Sequence, residues 1–207
     1  LSENDVQIYY HHEFIGFSKE EIPIIKNTEK EFLAKGDYYI FALGGASWSI
    51  TGSDGKWLNI FNQKGIETVD FQSSNCGINV YWNRDFKNKY EGTPLKNIKI
   101  TINNFSIKGE ALITQYGLEG NAIYPIIPHL RNELNHHKNS FIYLDLKPHN
   151  SITQLREKLR DKNVKTKNYA YIFNLNKSQL DLIKQFSTKE EYIDPLLFIR
   201  LIKKLKI

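Results

Sequence analysis

Methionine is absent from the 207 residues, and cysteine occurs once, at Cys76. Without an initiator residue, the chain is expected to be a processed product or a piece of a longer protein. A single cysteine excludes an internal disulfide framework and fits a reducing compartment, so a cytoplasmic location is expected. No apolar run reaches the roughly 18 residues a membrane span needs. The opening "LSENDVQIYY" has neither the basic region nor the apolar stretch of a signal peptide. Several fingerprints are also missing. There is no GxGxxG, no phosphate-binding GxxxxGK[ST], no Gly-x-Ser-x-Gly elbow, no HExxH spacing and no aromatic nucleic-acid-binding signature.

An apolar content of 41% and an aromatic content of 13% are those of a globular chain, long enough to bury a real core. The net charge of +5 is unevenly placed. Residues 139–207 hold 14 Lys and Arg against 7 Asp and Glu, whereas the preceding 138 residues are slightly acidic. The step suggests two regions of different character.

The pattern of elements is mixed. Residues 6–14 read as a strand. Residues 31–34 and 38–43 read as a hairpin about Lys35-Gly36-Asp37, the second arm apolar enough to be covered on both faces. A glycine-rich loop follows at 44–55. Ser53 or Asp54 is then placed to cap a helix over 56–64, which Gly65 ends. A strand over 66–71 completes a strand–loop–helix–strand unit. Short strands are expected at 75–82, 98–102, 105–107, 110–114 and 141–148, with a turn at Asn103-Asn104. Their alternation predicts an antiparallel sheet or small barrel. A helix is expected from Pro125 or Pro128 onward. The last third is helical: Ser151 and Gln154 form a capping box for 152–160, 178–186 is a second helix, and Asp194-Pro195 start a third. That third helix carries Phe198, Leu201, Ile202 and Leu205 on one side. The fold class is therefore α+β.

Chemistry-bearing residues are few. His11-His12 and His136-His137 are adjacent pairs rather than metal-ligand spacings, so no metal site is expected and surface polar residues are the better reading. Cys76 sits in an alternating strand, where cysteine behaves as a small hydrophobe. The basic end, with Arg200, Lys203, Lys204 and Lys206, could meet an anionic partner in a non-enzymatic binding module. A helix docked by its apolar stripe, with its lysines in solvent, is the favoured alternative, and neither nucleic acid nor membrane is expected as a partner. The glycine loop is the strongest feature, because permissive backbone beside a helix start can approach an anionic ligand.

The residues of that loop carry more than its spacing. "ALGGASWSITGSDGKW" at 42–57 resembles a motif of a bacterial flavoprotein family related to the BaiN-type and YhiN-type NAD(P)/FAD-dependent oxidoreductases. "SSNCGINVYW" at 73–82, "GTPLKNIKI" at 92–100 and "GEALITQYGLEGNAIY" at 109–124 resemble further blocks of the same family, in the same order. The resemblance implies a partial FAD-binding domain over 1–69, a small antiparallel β-barrel over 70–150 and a helical subdomain over 151–207. It implies FAD as cofactor, with NAD(P)H as a candidate electron donor, and it places Leu43, Gly44, Gly45, Ala46 and Gly52 against the flavin dinucleotide. It names no catalytic residue and no substrate, beyond a small molecule. Trp48, Thr51 and Ser53 lie near the flavin segment without assigned roles. Tyr116 and Glu119 could line the pocket or, preferably, cap the following helix. Pro125 and Pro128 depart from the alanine-rich helix of the family and move its start later. The absent GxGxxG unit and the absent closing glycine-rich segment make this the middle of an FAD-dependent oxidoreductase. Its missing N- and C-terminal segments would be the partners that complete the flavin site, and the chain alone is expected to bind FAD weakly or not at all.

Overall fold

A computed structural model describes residues 6–52, 54–160 and 164–207, and the chain divides into two compact units, Leu1–Gln72 and Ser73–Ile207. The first unit holds a three-stranded antiparallel sheet of β1 (Glu13–Phe17), β2 (Pro23–Lys26) and β3 (Glu31–Leu33), followed by helix α1 (Trp57–Gln63). Its apolar contacts are mostly aromatic. Phe14, Phe17, Phe41 and Phe61 meet with ring centroids 5.0–6.1 Å apart, largely edge to face. Helix α1 ends as expected: Ile66 N–H reaches the Phe61 carbonyl and Gly65 N–H the Asn62 carbonyl, each at 3.0 Å.

Three strand expectations fail in this unit. The strand expected over 6–14 begins only at Glu13, because His11 takes a left-handed φ of 58° that an extended strand cannot pass through. The run 38–43 forms no strand, and β3 pairs back onto β2 instead; Tyr38 is 92% and Ile40 94% exposed. The run 66–71 is likewise unpaired, with Val69 85% exposed. An apolar run becomes a strand only where a sheet edge pairs it and a layer covers it, and the described residues provide neither.

The second unit carries the core. Apart from Pro23 in the first unit, every buried apolar side chain among the described residues, from Ile78 to Leu205, lies here. Its sheet is antiparallel throughout, in the order β4 (Ile78–Asn79), β7 (Gly117–Glu119), β6 (Phe105–Ile113), β5 (Pro94–Ile102), β8 (Tyr143–Asp145) and β9 (Leu205–Lys206). In β5 the residues Leu95, Ile98, Ile100 and Ile102 are all buried. The odd step from Leu95 to Ile98 is absorbed by a bulge, where Asn97 has φ 54°, so one face stays apolar across the break. The expected turn at Asn103-Asn104 joins Ile102 to Phe105, with Asn103 left-handed at φ 48°. Beyond it the two strands expected at 105–107 and 110–114 are one continuous β6. Strand β7, unforeseen in the sequence, depends on Gly117: a Cβ there would lie 1.9 Å from the Ile78 carbonyl oxygen, so only glycine lets β4 pair at this point.

The helices of this unit are α2 (Arg84–Tyr90), α3 (Ile127–His136), α4 (Ile152–Glu157), α5 (Tyr169–Phe173), α6 (Lys177–Gln185), α7 (Lys189–Ile193) and α8 (Pro195–Lys203). Three starts, those of α3, α4 and α8, follow the predicted signals, whereas α2, α5 and α7 were not expected. Ser151 and Gln154 make the reciprocal capping box of α4, and Asp194 accepts from Leu196 and Leu197 N–H ahead of Pro195. Helix α3 follows a short 3-10 turn at Tyr124–Ile126 that accommodates Pro125, with Pro128 in its own first turn. In α8 the buried residues are Phe198, Ile199 and Ile202, while Leu205 belongs to β9 rather than to the helix.

Helix α8 is fixed to the sheet by one ion pair. Lys203 Nζ lies 2.6 Å from Asp145 Oδ2 and donates to the carbonyls of Lys147 (2.8 Å) and Asn150 (2.6 Å), so all three ammonium protons have acceptors. Asp145 is 6% exposed, and its other oxygen accepts from Lys147 N–H at 2.9 Å. Removing one member of such a pair strands the other in a dry environment. Lys203→Met is expected to cost roughly 3–5 kcal/mol of folding free energy, and Asp145→Asn, which keeps an acceptor but removes the charge, less. Urea unfolding of both variants checks this; losses of under about 0.5 kcal/mol in both would show that the pair carries no net stability.

Candidate functional site

The glycine loop lies between residue 43 and helix α1. Gly44 has φ 74° and its carbonyl accepts from Trp57 Nε1 at 3.1 Å, which ties the loop entrance to the first residue of the helix. A 3-10 turn at Ser49–Thr51 follows, closed by Gly52 at φ 103°, with Thr51 Oγ1 donating to the Trp48 carbonyl at 2.8 Å. At the far end Gly55 has φ 73°, and a Cβ there would lie 2.6 Å from Ala46 Cβ, so the loop folds back on itself through Ala46. Leu43 is half-buried, whereas Gly44, Gly45, Ala46 and Gly52 are exposed.

Gly45 differs from the other glycines of the loop. Its φ is not positive, and a Cβ built on it would meet no atom within 4 Å. Among the described residues, neither backbone conformation nor packing requires glycine there. Asp54 does not cap α1 as expected. It accepts from Lys56 N–H at 3.1 Å and pairs with Lys56 Nζ at 2.5 Å, turning the chain in front of a helix whose N-cap, Lys56, offers no side-chain acceptor. The Lys56 side-chain hydrogen bond, followed by the backbone one, holds the Asp54 carboxyl below its usual value. Ser53 lies outside the described residues.

The remaining candidates disperse. His11, His136 and His137 are exposed, and His12 is occupied by the Tyr10 carbonyl at 2.7 Å and by the Phe32 ring. Among the described residues no group of three His, Cys, Asp or Glu side chains could hold a metal ion. Cys76 is half-buried and packs against the core. Neither Tyr116 nor Glu119 caps a helix: Tyr116 sits in the exposed turn before β7, Glu119 lies in β7, and the turn at Tyr124–Ile126 starts from Ile123 without a side-chain cap. Of the basic residues at the chain end, Lys203 is turned inward to Asp145, while Lys204 and Lys206 lie over the rings of Tyr143 and Phe141 at 4.6 and 3.6 Å.

Two polar clusters escaped the sequence reading. The Lys203–Asp145 pair is one, and a charged residue in the apolar "FIYLDL" was its only signal. The other joins α2 to α6, where Asp181 Oδ2 accepts from Lys89 Nζ (2.7 Å) and from the Tyr90 hydroxyl (2.6 Å). Burial alone would raise the Asp181 carboxyl, but the two hydrogen bonds outweigh it and hold it below its usual value. At Tyr169, burial pushes the phenol up to about 12, and its hydroxyl donates to the Ile193 carbonyl at 2.7 Å.

With this geometry in place, comparison with known families identifies the second unit. Residues 72–186 match the HI0933-like protein barrel and H2TH domain, and the chain belongs to this family, one of FAD-dependent oxidoreductase-like proteins. The α+β fold, with its antiparallel sheet and helical part, is that of the family's barrel and helical domain. The glycine loop lies outside the matched span. No curated protein matches the chain.

Two expectations test these arrangements. Because Asp181 titrates lower in the folded chain than in the unfolded one, its contribution is present above about pH 4 and is lost as pH falls through the folded value. Asp181→Asn should therefore lower stability at pH 7 by no more than about 1 kcal/mol, since the pair is part-exposed, and the gap should close below about pH 4. Urea titrations across that range decide it; a gap independent of pH would assign the loss to packing. In the loop, Gly55→Ala should cost about 1–3 kcal/mol, while Gly45→Ala should stay within about 0.5. Equal losses in the same assay would remove the distinction between the two glycines.

Proposed function

We propose that the chain is the middle segment of an FAD-dependent oxidoreductase of the BaiN/YhiN-like type, in which 1–69 is part of the FAD-binding domain, 70–150 the barrel and 151–207 the helical part. The observation that supports this most directly is collinearity. The residues matched to the family begin at 72, and the loop that resembles its flavin-contacting segment stands just upstream at 42–57. Gly45 adds to it: exposed, and with no described atom within 4 Å of where a Cβ would stand, it suits a backbone that a cofactor approaches.

In this reading Leu43 to Ala46 and Gly52 lie against the dinucleotide of FAD, whose flavin supplies the electron transfer. The half-buried Leu43 leads into the loop, Gly44 turns the chain toward Trp57, and Ala46 fixes the loop against Gly55. The rest of the site comes from further segments of a longer polypeptide, including a GxGxxG unit. Those segments would also cover the apolar run 38–43, which lies open in this chain. The barrel and helices shape the pocket for a small-molecule substrate, with NAD(P)H as electron donor, in the cytoplasm.

Visible absorption tests the reading. Protein made from the complete reading frame should show flavin bands, and the 207-residue chain should show none and should bind added FAD weakly. A complete protein that stays colourless with added FAD would remove the oxidoreductase assignment. A tight one-to-one FAD complex of the 207-residue chain would instead overturn the division of the flavin site.

A further inference from the structure

The strand order places β4 and β9 at opposite ends of the six-stranded sheet, yet both ends border one cleft of about 640 Å³. Ile78 and Val80 line it from the β4 side, Ile142 and Ile207 from the β9 side, and Leu130 and Leu134, one turn apart on α3, from a third side. A cavity of this size with apolar walls is in the range that holds a small organic ligand.

Its charged side chains are of one sign. The lining includes Arg131 and Lys138 and no Asp or Glu. Arg131 Nη1 donates to the Ser73 carbonyl at 2.6 Å, but Nε is buried and has no hydrogen-bond partner, and no carboxylate lies within ion-pairing distance of the guanidinium among the described residues. A buried guanidinium N–H normally finds an acceptor, and the planar fork of arginine fits a carboxylate best. An apolar cleft whose charged side chains are a guanidinium and an ammonium, neither ion-paired with a carboxylate among the described residues, is therefore suited to an amphiphile with an anionic head.

We propose that this cleft binds a small organic carboxylate with an extended apolar body, the body between α3 and the two sheet edges and the carboxylate on Arg131, with Lys138 adding long-range attraction. The site lies wholly within Ser73–Ile207 and does not rest on the flavin reading.

Decanoate and decanol, equal in chain length and differing in charge, serve as probes of the 207-residue protein by calorimetry and by amide chemical-shift mapping. Decanoate should bind at least about tenfold more tightly than decanol, with shifts centred on 73–81 and 127–142. Arg131→Gln should abolish that preference while leaving decanol binding in place. Lys138→Gln, at an exposed position, should weaken decanoate only two- to threefold or so. Leu134→Trp should fill the cleft and exclude both. Equal affinity for the two probes, a preference that survives Arg131→Gln, or shifts centred away from these segments and from Phe186 and Ile207, which also line the cleft, would overturn the proposal. So would failure to bind either, which would leave the β4 and β9 edges to an extended peptide instead.

Discussion

The second unit depends on one largely buried ammonium group. Lys203 reaches from the last turn of α8 to Asp145 on β8 and to two carbonyls of the loop that follows, so a helix, a strand and a loop share one fixed point. Around it Leu146 N–H bonds to the Ile202 carbonyl, and β9 continues directly from the helix to pair with β8. The aromatic cluster of Tyr169, Phe173, Tyr192 and Phe198 then packs on the same helix, with Tyr169 and Phe198 centroids 4.1 Å apart. Dispersion and area burial supply most of the cohesion, but they are non-directional. The ion pair sets where along the sheet the helix must stop.

Local signals were the part of the fold most legible in the sequence. The capping box at Ser151, the Asp194-Pro195 start and the turn at Asn103-Asn104 involve residues within a few positions of each other, so their geometry is written in short motifs. What could not be read is set by distant neighbours. Residues 38–43 look like a buried strand because they are apolar, but burial needs a second layer. Strand β7 is three residues with a glycine where a side chain would be expected; its pairing is decided by β4, nearly forty positions earlier.

The candidate site divides the same way. The glycine loop was visible through its residues, and the structure adds that Gly44, Gly52 and Gly55 take left-handed backbone, whereas Gly45 does not. Asp54 was misread as a cap because an Asx turn and an N-cap share the same side chain and differ only in which N–H is reached. Arg131 gave no signal at all. An arginine on a helix is ordinary in sequence, and only its place on a cleft lined by no Asp or Glu side chain sets it apart.

The pairing of β8 with β9 also bears on how this unit can be made. Tyr143 meets Lys206 across roughly sixty intervening residues, whereas the β5–β6 hairpin closes over two. During synthesis the hairpin can form as soon as it emerges, since its contacts are local. Asp145 emerges long before its cation and waits while the helical segment is translated. Until Lys203 arrives, the edge of β8 that β9 will cover is open, and an open strand edge is where a nascent chain pairs wrongly. The last helix thus sets the moment at which the newly made unit becomes safe from association with its neighbours.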